Sequence, residues 1–96
     1  MAIVAETDGT ACVLRVSGQF DFGCRNEFRR AYLAWPKGST FIVDMTDVDY
    51  VDSAALGMLL LLRDYSGVAA RVTIRGVTGQ AEQVLRIANF QKLFHF

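Results

Sequence analysis

A net charge is missing from this 96-residue chain: ten basic side chains balance ten acidic ones. A nucleic-acid binder would show a basic footprint, and an anionic membrane surface would call for a polybasic stretch. Neither is present, so neither partner is expected. Histidine is also scarce. The single one, His95, stands next to the C-terminus, which leaves no Ser-His-Asp arrangement in a rigid part of the fold. The sequence has no G-x-x-x-x-G-K-[ST] loop, no G-x-G-x-x-G turn and no G-x-S-x-G elbow. An enzyme is therefore not expected, and no cofactor is called for.

Cysteine occurs twice, as Cys12 and Cys24. The spacing fits no metal motif, and two thiols do not make a disulfide framework. They read as reduced, buried thiols of a cytosolic protein. Long apolar runs are missing as well. The longest, Ala54 to Leu62, has nine residues, against about 20 needed to cross a bilayer. The start, Met1-Ala2-Ile3-Val4-Ala5-Glu6, lacks the basic region and apolar run of a secretory signal. The expected location is the cytoplasm.

What is present describes a folded domain. Apolar residues make up 52% of the chain and charged residues 21%, which excludes disorder by composition. The length allows one domain, residues 1–96. Two apolar runs, Ala2–Thr7 and Ala11–Gly18, flank Asp8-Gly9-Thr10, a β-hairpin signal. After the turn Gly18–Gly23, Cys24, Phe28, Ala31 and Trp35 recur at helical spacing until Pro36 and Gly38 stop the pattern. The run Thr40–Met45 reads as a strand buried on both faces, and the acidic stretch Thr46–Asp52 as a loop. A second helix over Ser53–Ser66 closes at Gly67. A fourth strand covers Ala70–Val77. A third helix starts at Thr78 or Gly79, with Ala81, Val84, Leu85 and Ala88 inward, and Asn89 ends it in the left-handed conformation. Leu93, Phe94 and Phe96 finish the chain as a short turn and strand. The expected class is α/β, a small mixed β-sheet packed against helices, in the order β-β-α-β-α-β-α with a short C-terminal tail.

The segment Asp44–Leu60 carries the functional information. A buried strand leads through Asp47, Asp49 and Asp52 to Ser53 and then to a helix. A serine there lies beside the helix's unpaired N–H groups, which together with the dipole favour an anion. Asp52 or Ser53 also serves as a plain N-cap. The three aspartates could hold Mg²⁺, or be solvated turn charges beside a helix start. At about 100° per residue, Gly57, Leu60 and Asp64 share the Ser53 side, with Leu56 and Leu61 flanking. Ala55, Met58, Leu59, Leu62 and Tyr65 face the other way, toward the sheet. Apolar groups on a side rimmed by charge suggest a partner surface.

Asp52-Ser53-Ala54-Ala55-Leu56-Gly57, preceded by Phe41-Ile42-Val43-Asp44 and an acidic stretch, resembles the signature of STAS domains, more narrowly the bacterial anti-sigma factor antagonists. Leu14–Asp21 is similar to that family's second strand and turn, and Val84–Phe94 to its third helix and exit, so the likeness spans nearly the whole chain. The resemblance implies that a partner serine kinase, often the anti-sigma factor itself, phosphorylates Ser53. The unphosphorylated form binds the anti-sigma factor, and a metal-dependent serine phosphatase restores it. It also places Asp21 beside the serine. Asp21, Asp49, Asp52, Ser53, Leu56, Gly57 and Leu60 are the expected partner-binding residues.

Two departures stand out. Ala55 occupies a position where the family often has Gly. Many relatives continue past the position of Phe96 with a strand and a helix, and lacking these would favour a homodimer. STAS-like domains also serve as subunits of transporters and stress-signalling assemblies. A soluble subunit without a phospho-switch is therefore the alternative reading.

Overall fold

The computed structural model describes residues 2–67 and 71–96. Strands β1 (Ala2–Asp8) and β2 (Ala11–Phe20) form the hairpin around Gly9-Thr10. A 3-10 turn, Phe22–Cys24, leads into helix α1 (Arg25–Leu33). Then come β3 (Thr40–Val51), α2 (Ser53–Ser66), β4 (Val72–Arg75) and α3 (Gly79–Ile87). The sheet order is β1-β2-β3-β4, with β1 antiparallel to β2 and the other pairs parallel. The expected element order and mixed sheet are what the structure shows. The expected start of the fourth strand, Ala70, lies outside the described residues.

Three crossovers step the same way across the sheet. β2 leads through α1 to β3, β3 through α2 to β4, and β4 through α3 to His95, which bridges Thr73 in parallel. Right-handed crossovers repeated in one direction put every helix on one face. The core agrees: Cys12, Leu14, Phe41, Val43 and Ile74 share one cluster with Phe28, Leu59, Leu62 and Leu85. The strand around Phe41 was therefore wrongly expected to be buried on both faces. Phe41, Val43 and Met45 are buried, while Ile42 and Asp44 on the other face are half-buried. That second face carries the ion pairs Arg15–Glu6 at 3.5 Å and Arg75–Asp44 at 3.1 Å.

The acidic stretch is also corrected: Thr46–Val51 is strand, not loop. β3 carries two extra residues relative to β2. Arg15 to Ser17 faces Asp44 to Asp47, and Gly18 to Gln19 faces Val48 to Tyr50. These bulges change the burial spacing, so that Met45, Val48 and Val51 are buried at intervals of three. Alternation by two is the usual strand signal, and its loss made the segment read as a turn. Asp44 braces the first bulge by accepting from the Thr46 N–H at 3.0 Å and from its hydroxyl at 2.6 Å. Burial alone would push the Asp44 carboxyl up, but these bonds and the Arg75 guanidinium outweigh it and hold it below its ordinary value. Gly76 closes over the same spot with φ +75°, and a Cβ there would lie 2.1 Å from the Thr46 hydroxyl.

Helix α1 shows a smaller shift. Cys24 falls in the 3-10 turn and Trp35 beyond the helix end, while Tyr32 is buried with Phe28. The reason is aromatic packing. Phe28 sits 5.0 Å from Phe20, and Tyr32 sits 5.2 Å from Tyr65, ring centre to ring centre. These contacts tie α1 to the end of β2 and to α2. The tail makes a 3-10 turn at Phe90–Lys92, entered through Asn89 at φ 61°, and a single bridge at His95 rather than a strand.

Candidate functional site

The site is built where β3 ends. Asp52 is the N-cap of α2, in extended backbone. Its Oδ1 accepts from the Ala55 N–H at 3.0 Å, satisfying one orphan donor of the helix start. Its Oδ2 accepts from the Phe22 N–H at 3.2 Å, thirty residues away in sequence. One carboxylate thus caps α2 and ties it to the turn before α1. From the other side, Gln80 of α3 grips the last strand residue. Its Oε1 accepts from the Val51 N–H at 3.0 Å, and its Nε2 donates to the Val51 carbonyl at 3.1 Å. The start of α2 is therefore held by two neighbouring elements through non-local bonds. Sequence reasoning missed Gln80, because a glutamine in the first turn of a helix gives no sign of a partner 29 residues away.

Ser53 is the first residue of α2, and it is exposed. Among the described residues its hydroxyl makes no hydrogen bond. The capping task falls to Asp52, which leaves the serine oxygen free for other chemistry beside the first-turn N–H groups. Asp21 is half-buried and caps the 3-10 turn, accepting from the Gly23 N–H at 3.0 Å. Phe22 is exposed, and the Arg25 guanidinium lies 4.4 Å from its ring centre. Asp47 and Asp49 project from the bulged half of β3 and are exposed. Both oxygens of Asp52 are taken by backbone donors, and the described residues hold no group of three or more metal-ligating side chains.

The helical faces come out as the spacing predicts. Ala55, Met58, Leu59 and Leu62 are buried, with Tyr65 half-buried, and Gly57 and Asp64 are exposed. Leu60 is 37% exposed and Leu61 57% exposed. Around Gly57 no atom beyond the adjoining helix backbone and chain neighbours lies within 4 Å of where a Cβ would stand, so this part of the helix surface is open. Leu56 departs from expectation, since it is half-buried and packed against the core. Leu61 takes its place as the more exposed leucine.

Of the remaining cysteines and histidine, only Cys24 touches this site, donating its thiol to the Asp21 carbonyl at 3.1 Å. Cys12 and Cys24 are free and buried, and burial pushes the Cys12 thiol up to about 11 and the Cys24 thiol upward as well. His95 bridges Thr73, which pairs with Ile42 near the start of β3, whereas Ser53 follows the end of that strand. No helix of the described residues is long and apolar enough to cross a membrane.

Comparison with known proteins places this geometry. A STAS-domain containing protein of Pseudomonas aeruginosa is 39% identical over 100 residues, covering 98% of this chain and 97% of the relative. Among solved structures, the anti-sigma factor antagonist SpoIIAA in its unphosphorylated form superposes with a TM-score of 0.70 at 20% identity, covering 90% of this chain and 83% of that one. The Bacillus cell fate determinant SpoIIAA in its phosphorylated form gives a TM-score of 0.65 at 20% identity, over 97% and 88% of the two chains. A candidate anti-sigma factor antagonist of Thermotoga maritima gives 0.81 at 13% identity, over 97% and 83%. These structures share the fold. The family described as "Mlab, STAS domain" matches residues 3–95, and with nearly the whole length accounted for, the chain belongs to the STAS domain family.

Proposed function

We propose that this STAS domain is an anti-sigma factor antagonist, a protein-binding module without catalysis that is switched by phosphorylation of Ser53. The observation that carries the reading is the Ser53 hydroxyl, exposed and unbonded among the described residues, at the start of a helix whose cap is already supplied by Asp52. Unphosphorylated, the surface of Ser53, Gly57 and Leu60, rimmed by Asp21, Asp49 and Asp52, binds an anti-sigma factor or serine kinase. A metal-dependent serine phosphatase reverses the modification.

A phosphate adds about −1.5 to −2 charges near neutral pH. At the N-terminus of α2 the helix dipole and first-turn N–H groups receive it, so the domain stays folded. The same charge lands next to Asp52, at the head of the α2 face that carries exposed Gly57 and Leu60. A partner packing apolar surface there must desolvate it, which costs several kcal/mol without a matching cation. Each 1.4 kcal/mol is about tenfold in affinity, so binding falls by orders of magnitude.

The test is a titration of the cognate partner against unmodified, phosphorylated and Ser53→Ala protein, with circular dichroism of each. Ser53→Ala is expected to bind like the unmodified form and to resist release by the kinase. Equal affinity of unmodified and phosphorylated protein, or phosphate on another residue, refutes the switch. A partner that binds regardless of phosphate returns the domain to the alternative, a constitutive subunit of a transporter or stress-signalling complex.

A further inference from the structure

Beside the proposed Ser53 surface, between α1 and the C-terminal half of α2, lies a groove. α1 and α2 frame a cleft of about 630 Å³. On the α1 side, Arg25, Arg29 and Leu33 line it at i, i+4 and i+8, a single ridge. On the α2 side, Met58, Leu61 and Tyr65 form the apolar wall. Lys37 and Asp64 also line it. Leu33 is 44% exposed, so with Leu61 it leaves apolar surface in water along the cleft.

We infer that this groove receives an acidic amphipathic helix of a protein partner. Shape is the first argument. Two packed helices present a trough that suits a third helix, read by anchors at i, i+3 or i+4, and i+7. The ridge from Arg25 to Leu33 runs about 12 Å, a little over two helical turns. Charge is the second. Three cations line the cleft, Arg25, Arg29 and Lys37, against one acid, Asp64. Among the described residues none of the three is ion-paired, a state they share with Arg30, Arg63, Arg71 and Lys92, so what marks the cleft is three cations in one place. In a chain of zero net charge, an apolar trough edged by three cations, one of them stacked on Phe22, is complementary to leucines flanked by Glu or Asp.

A second copy of this chain fits poorly. Its helical acids are mixed with cations: Glu27 among Arg25, Arg29 and Arg30, Asp64 beside Arg63, and Glu82 paired to Arg86 at 2.9 Å. None of the described helices offers an acidic face.

The test places a photo-crosslinking amino acid at Asn26, which lines the groove, in the full chain expressed in its native cell. The cross-linked peptide is then identified by mass spectrometry. The expected product is one segment of another protein with amphipathic helical spacing and an acidic flank. Arg25→Glu with Arg29→Glu is expected to lower its yield about tenfold or more, because like charges then face each other, with thermal unfolding unchanged. Should the double variant fail to fold, Arg29→Ala and rising salt are each expected to weaken binding of the synthesised segment to the purified domain. Four outcomes overturn the inference: no product beyond that of a crosslinker at Gln83 on α3, a product with a second copy, a product with lipid, or a segment lacking acidic residues. A yield or affinity indifferent to charge and salt does so as well.

Discussion

Helix α2 has a serine at each end, and the two hydroxyls live in opposite surroundings. Ser66, in the last turn, is 2% exposed and donates to the Ser39 carbonyl at 3.0 Å. Its neighbour Tyr65 donates its hydroxyl to the Trp35 carbonyl, and Gly67 at φ 84° closes the helix with its N–H on the Arg63 carbonyl. That end is stitched to the loop before β3. At the other end Ser53 is exposed, and the stitching is done by its neighbour Asp52 and by Gln80. A buried hydroxyl must be hydrogen-bonded and is therefore structural. A hydroxyl relieved of that duty, on a rigid helix start, is available for modification.

This contrast orders a set of expected effects. The largest comes from the leucines along the same helix. Leu62 is fully buried while Leu61 is 57% exposed. Leu62→Ala is expected to cost about 2–5 kcal/mol, and Leu61→Ala within about 0.5 kcal/mol, both measured by urea unfolding. Similar costs would mean that α2 is rotated from the orientation described.

Next come the serines themselves. Ser66→Ala leaves the half-buried Ser39 carbonyl short of a donor and is expected to cost about 1–3 kcal/mol. Ser53→Ala is expected to stay within about 0.5 kcal/mol. If thermal melts of the two variants coincide, the distinction between structural and free hydroxyl fails. The smaller effect is expected at Asp52. Asp52→Ala removes the cap at a cost of about 0.5–2 kcal/mol. Because its second oxygen holds Phe22, hydrogen exchange of the Phe22 and Ala55 amides is expected to quicken together. Faster exchange at Ala55 alone would confine Asp52 to its own helix.

Local signals carried much of this into the sequence. Asp8-Gly9 marked the hairpin, Asp52 the helix start, Gly67 its stop and Asn89 the left-handed residue after α3. The buried side of α2 was legible because four of its residues recur at helical spacing without interruption. Two features misled. The bulged half of β3 buries every third residue instead of every second, so a strand looked like a loop. Leu56 shares the exposed arc on a helical wheel, but the wheel does not show which flank the core wraps.

The residues alone determined the order of the elements, the kind of most of them and the place of Ser53 at a helix start, because caps, turns and periodicity act over a few residues. Only the tertiary structure decided which distant groups meet: Asp52 with Phe22, Gln80 with Val51, and the α1 ridge with the α2 wall. It also decided that all three helices share one face of the sheet. The physical reason is that these outcomes follow from strand register, bulges and crossover handedness, which couple residues about thirty positions apart and leave no periodic trace in the chain.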